Sequence, residues 1–170
     1  HVTSTGAADR TVRFFAVAGP VSITGGKFAQ TGSAYSALYF SGAITGPGVS
    51  ISGATITAVD TALLVSDVQA PFTLTDVAVV SSDYAVRFFA VTGPVSITGG
   101  SFTQTGSKDA LYFGGTVTSP VAIAGAVVVA DEKAIVFANL QADLTLTDVA
   151  ASSSGDHVLY FTAATAAAIV

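Results

Sequence analysis

The stretch Pro94-Val95-Ser96-Ile97-Thr98-Gly99-Gly100 occurs once earlier, letter for letter, as Pro20-Val21-Ser22-Ile23-Thr24-Gly25-Gly26. Its surroundings return in the same order. Val12-Arg13-Phe14-Phe15 comes back as Val86-Arg87-Phe88-Phe89, and Ala37-Leu38-Tyr39-Phe40 as Ala110-Leu111-Tyr112-Phe113. Leu74-Thr75-Asp76-Val77 comes back as Leu146-Thr147-Asp148-Val149. A chain that repeats itself at long period points to a stacked architecture, in which each unit buries its apolar face on the next.

The long repeat, about 73 residues, divides into shorter units. A small residue followed by a bulky apolar run starts near 12, 37, 62, 86, 110, 134 and 158, a spacing of 24 or 25 residues. After each start comes a turn and then a second apolar pair: Val21/Ile23, Val49/Ile51, Phe72/Leu74, Val95/Ile97, Val121/Ile123 and Leu144/Leu146. All five prolines fall one or two residues before this second run. Proline lacks the N–H that a central ladder needs and therefore belongs at a corner. Gly or Asp follows the run at Gly25, Gly53, Asp76, Gly99, Gly125 and Asp148, and a shorter third run comes next, such as Phe28-Ala29-Gln30 or Val127-Val128-Val129. Three short strands per unit with corners at fixed places make one coil of an all-β solenoid. Strands of neighbouring coils then lie about 4.8 Å apart and equivalent residues form ladders. The chain is expected to be a single domain, 1–170, of about seven coils, with residues 1–11 forming a partial coil.

The coil length and the Pro-Val-x-Ile-x-Gly corner resemble right-handed parallel β-helix proteins, the pectate-lyase-like fold also seen in autotransporter adhesins. The resemblance covers nearly the whole chain and implies an extracellular or cell-surface location. The right-handed sense also agrees with the general preference of parallel crossovers.

The two ends look complementary. Val2-Thr3-Ser4-Thr5-Gly6 matches the third strand Phe102-Thr103-Gln104-Thr105-Gly106, whereas the last unit stops after a partial second strand, Ala167-Ala168-Ile169-Val170. Bare strand edges recruit other chains unless a polar cap covers them. Head-to-tail assembly through Val2, Thr3, Ala167, Ile169 and Val170 is one expectation, and a cut at a repeat boundary is the other. The start at His1 suits either a mature secreted chain or an excised segment. In the first strand, Leu38, Phe40, Leu111, Phe113, Leu159 and Phe161 allow two readings: an outward stripe for lateral packing, with Arg13 and Arg87 aligned to the leucines, or a bulged strand with Phe stacked inside.

Composition narrows the function. Hydrophobic residues make up 51% and charged ones 10%, which excludes a disordered chain. The net charge of −5, with only six scattered basic residues, offers no stripe for nucleic acid. Apolar runs are too short to span a bilayer as a helix. Cysteine is absent. His157 at a corner has no second histidine near it, so no metal or other cofactor is expected. Asp60, Asp83, Asp109, Asp131, Glu132 and Asp156 recur near the corner before each first strand, which reads as turn chemistry. No catalytic residue is nominated.

The expected function is a non-catalytic extracellular structural solenoid that stacks on copies of itself into a fibre or forms the shaft of a surface adhesin. Its partner is itself, with a host or surface glycan as a further candidate. One alternative is ice binding through an outward ladder of Ser22, Thr24, Ser50, Ser52, Thr73, Thr75, Ser96, Thr98, Thr145 and Thr147, interrupted at Ala122 and Ala124. This ladder resembles the Thr-x-Thr columns of solenoid ice-binding proteins. The other alternative is a carbohydrate-active β-helix enzyme.

Overall fold

The computed structural model describes residues 2–5, 11–32 and 35–163. Strands and tight corners account for the described residues, with no helix among them. The first strands of successive coils are β2 (Val12–Phe14), β5 (Leu38–Ile44), β8 (Leu63–Val68), β11 (Val86–Val91), β14 (Leu111–Val117), β17 (Ile135–Leu140) and β20 (Leu159–Phe161). The second strands are β3 (Val21–Thr24), β6 (Val49–Ser52), β9 (Phe72–Thr75), β12 (Val95–Thr98), β15 (Val121–Ala124) and β18 (Leu144–Thr147). The third strands are β1 (Val2–Ser4), β4 (Lys27–Gln30), β7 (Thr55–Ala58), β10 (Ala78–Ser81), β13 (Ser101–Gln104), β16 (Val127–Ala130) and β19 (Ala150–Ser153). Each set forms one sheet in chain order, and neighbouring strands run parallel. The chain is a parallel β-solenoid. It has six complete coils rather than seven, because β1 and β20 each belong to a partial coil.

The second sheet follows the sequence pattern residue for residue. Val21, Val49, Phe72, Val95, Val121 and Leu144 stand in one inward column, and Ile23, Ile51, Leu74, Ile97, Ile123 and Leu146 in the next. The corner that ends each of these strands requires a left-handed backbone: φ is 66° at Gly25, 59° at Gly53, 63° at Gly99 and 63° at Gly125. Asp76 and Asp148 fill the same corner at φ 51° and 52°. Asp tolerates this region better than most L residues, which explains why it alternates with glycine here.

The first sheet corrects the sequence alignment by one residue. Val12 pairs with Leu38 and Val86 with Leu111, not with the alanines before them, so Arg13 and Arg87 align with Tyr39 and Tyr112. The residues ahead of the two valines, Thr11 and Ala85, are the true counterparts of Ala37 and Ala110. Leu38, Phe40, Leu111 and Phe113 are consequently buried and form no outward stripe, and Leu159 and Phe161 are half-buried against the same core. The bulged alternative is what the structure shows. β5 and β14 each carry one residue more than their neighbours, between Phe40 and Ala43 and between Phe113 and Thr116. Gly42 and Gly115 sit in these bulges because nothing larger fits. A Cβ there would lie 1.7 Å from the carbonyl oxygen of Phe15 or Phe89 in the coil beneath.

A column of phenyl rings runs up the core. Phe14 stacks on Phe40 at 4.7 Å, Phe88 on Phe113 at 4.9 Å, and Phe113 on Phe137 at 4.5 Å between centroids. The third coil breaks the pattern, since β8 places Val65 where its neighbours have Phe40 and Phe88. The same coil has Phe72 where the second sheet otherwise carries valine or leucine. Phe72 reaches across and meets both Phe40 (5.7 Å) and Phe88 (5.5 Å) edge-on. One coil has exchanged the large and small residues of its two walls while keeping core volume, which close-packed interiors tolerate.

This exchange yields a double-mutant test. Phe72→Val should destabilise by about 1–3 kcal/mol through the cavity it leaves, and Val65→Phe by about 1–3 kcal/mol through overpacking. The double variant should recover most of that loss, with a coupling of about 1–3 kcal/mol in denaturant titrations. Simple additivity of the two losses would contradict the shared volume.

Candidate functional site

Side chains that are not in the core stand on three outer faces, and each face has its own chemistry. On the second sheet, Ser22, Ser50, Thr73, Ser96, Ala122 and Thr145 form one outward column and Thr24, Ser52, Thr75, Thr98, Ala124 and Thr147 the other. The ten hydroxylated residues are exposed or half-buried, and their hydroxyls have no hydrogen-bond partner among the described residues. Ladder spacing puts neighbours about 4.8 Å apart across the sheet and about 6.6 Å apart along a strand. The two alanines interrupt both columns in the same coil. On the third sheet, Val80, Val127 and Val129 point outward among Thr57, Ser101 and Thr103.

The first sheet carries a different face. Its outward column reads Arg13, Tyr39, Leu64, Arg87, Tyr112, Val136 and Tyr160, of which Val136 is itself buried. Beside it stand two exposed rings, Phe15 (71% exposed) and Phe89 (41% exposed). The Arg87 guanidinium lies 4.2 Å from the Phe89 centroid, 4.7 Å from Tyr84 and 5.5 Å from Tyr112. Arg13 repeats the arrangement at 4.2 Å from Phe15 and 5.3 Å from Tyr39, and its Nε donates to the Ser41 hydroxyl at 3.0 Å. The earlier alignment concealed this, because it paired the arginines with core leucines.

The corner leading into the first sheet gathers most of the titratable groups. Asp60 and Asp83, at the same corner of adjacent coils, are joined by a hydrogen bond between their carboxyls. Burial, then that bond and the charge of Asp60, push the Asp83 carboxyl up to about 6, against the pull of Lys108 and Arg87. Burial likewise raises Asp109, with Lys133 opposing it. One coil further on, Lys133 pairs with Asp156 at 2.9 Å, and this bond lowers the Asp156 carboxyl. His157 touches Asp156 through Nδ1 and is exposed. The acids were legible as a once-per-coil corner; that Asp60 raises the Asp83 carboxyl follows from stacking those corners directly on each other.

Buried glutamines close two of these corners. Gln30 Oε1 accepts from the Gly32 N–H at 2.9 Å, and Gln104 Oε1 accepts from the Asp131 N–H at 3.1 Å. Of the residues expected at an end-to-end contact, Val2 and Thr3 lie in β1, where Val2 pairs with Phe28. Ala167, Ile169 and Val170 fall outside the described residues. Comparison with family models, with curated proteins and with solved structures returned no match. The class of the protein therefore rests on its three parallel ladders alone.

The carboxyl pair sets a pH dependence. Folded Asp83 keeps its proton to about pH 6, while an unfolded aspartate releases it near 3.9, so the folded state holds more protons between those values. Stability should fall as pH rises through that window, and the raised Asp109 acts in the same direction. The melting temperature of Asp83→Asn should vary less between pH 4 and 6.5 than that of the parent chain. An unchanged pH slope in the variant would rule out the raised Asp83 carboxyl.

Proposed function

We propose that the chain is a non-catalytic structural β-solenoid, which stacks end to end on copies of itself as a fibre or forms the shaft of a surface adhesin outside the cell. The observation that carries this reading is the continuity of the ladder. Six coils repeat one cross-section, and the core columns run into the outermost described strands of the first sheet, whose Phe14, Leu159 and Phe161 are only half-buried. A parallel ladder presents the same row of N–H and C=O groups at each level, so a further coil from another copy would continue it. The right-handed, adhesin-like type belongs to the same proposal and rests on coil length and corner pattern.

Two features favour a structural role over catalysis. Glycosidases hold their carboxyl pair about 5–9.5 Å apart to admit a sugar or water between them, whereas Asp60 lies within hydrogen-bonding reach of Asp83. The corners are also uniformly short, leaving no long loop to wall a cleft among the described residues.

Purified chain at rising concentration should form rods or fibres in negative stain, with a fibre-diffraction spacing of about 4.8 Å along the axis. Phe161→Asp should hold the chain as single particles of about 30 Å, the height of six coils. Parent chain that stays monodisperse at high concentration refutes end-to-end stacking.

A second reading has its own observation: the unpartnered hydroxyl lattice on the second sheet, whose columns are in register over five of the six coils and broken at Ala122 and Ala124. Such a face would order water as an ice-binding surface. Thermal hysteresis that is lost in Thr98→Lys would support it, and its absence in the parent chain would exclude it.

A further inference from the structure

We propose that the outer face of the first sheet is a binding strip for an anionic polysaccharide, with Arg13 and Arg87 as its two anion seats. Each guanidinium is held over an exposed phenyl ring and a tyrosine, which fixes its position; Arg13 spends its Nε on the Ser41 hydroxyl and keeps its terminal nitrogens. Arg87 has no ion-pair partner among the described residues; its Nε is buried, and its terminal nitrogens carry no hydrogen bond among those residues. A pre-positioned guanidinium with its terminal nitrogens unengaged suits a carboxylate or sulfate, which it engages through paired hydrogen bonds.

The rest of the strip indicates what carries that anion. Tyr39, Leu64 and Tyr112 continue the column between and beyond the two arginines, giving a flat, partly apolar track along the stacking axis. A sugar ring presents one apolar face to such a track and its acidic group to the arginine. The seats are three coils apart, about 14 Å, so an extended polymer reaches both whereas a monosaccharide fills one. A peptide has less to hold. Strands β5, β8, β11, β14 and β17 are each paired on both sides, which leaves no edge on this face for strand addition. The acid on the strip, Asp67, is engaged by the Gln69 side-chain amide at 2.6 Å.

The test uses the whole chain in affinity electrophoresis through gels containing a uronate polymer, a sulfated polymer or neutral dextran. One or both anionic polymers should retard the chain, and dextran should not. Each of Arg13→Ala and Arg87→Ala should weaken retardation about tenfold, with the double variant near the dextran baseline. Circular dichroism melts establish that each variant is folded; if Arg87→Ala does not fold, Arg87→Gln retains the stem and carries the same expectation. Arg87→Lys keeps the charge but not the fork and should fall between parent and alanine. Retardation by neither anionic polymer, equal retardation by dextran, parent-like binding by the folded double variant, or full displacement by an acidic peptide would each overturn the proposal. The binding is read on single particles, so its outcome is separate from that of self-stacking.

Discussion

Everything in this molecule depends on coils stacking in register as parallel strands. A coil of three short strands buries almost nothing alone; its hydrogen bonds and its apolar residues find partners only in the coils above and below. Leu63 illustrates the point, since it is fully buried between Leu38 and Val86 of adjacent coils. Burial of one such side chain is worth about 1.5–3 kcal/mol, and each complete coil supplies several. The fold therefore gains stability by accumulation, and its weak points are wherever the ladder loses a neighbour.

The register imposes different demands on the three walls, and this decides what was legible in the sequence. The second wall announces itself: proline before, Val-x-Ile within, and a left-handed Gly or Asp after. Its two core columns could be read correctly without coordinates. The first wall has no such punctuation. Thr11 stands where other coils have Ala37 or Ala110, and Phe15 and Phe89 extend the apolar run outward, so an alignment by small residues slips by one. A slip of one residue exchanges inside and outside. That slip is what kept an outward stripe of Leu38, Phe40, Leu111 and Phe113 open beside the bulged strand, and it obscured the two arginine seats.

The bulges were hidden for a related reason. Gly42 and Gly115 look like ordinary loop glycines in sequence, yet each lies within a strand and is required by a carbonyl of the coil beneath. The exchange between Val65 and Phe72 was equally silent, because either residue alone fits an apolar pattern and only their sum is constrained. Asp60 and Asp83 were visible as corner acids. Their coupling became apparent once the ladder brought the corners together.

The bulge and the aromatic–arginine pair violate the one-coil repeat but obey the three-coil repeat, and they do so as a unit. The exposed Phe15 and Phe89 are the residues whose carbonyl groups press into Gly42 and Gly115 of the next coil. The arginine two residues before each exposed phenylalanine covers its ring, and the tyrosine that flanks that arginine belongs to the bulged strand above. The bulge and the aromatic–arginine seat are thus two sides of one local packing solution. The extra residue bends β5 or β14 around the coil below, and the glycine lets the backbones approach where the outer face carries its ring and charge. Along a solenoid whose remaining walls are small and nearly uncharged, this device twice concentrates aromatic surface and positive charge on the same line.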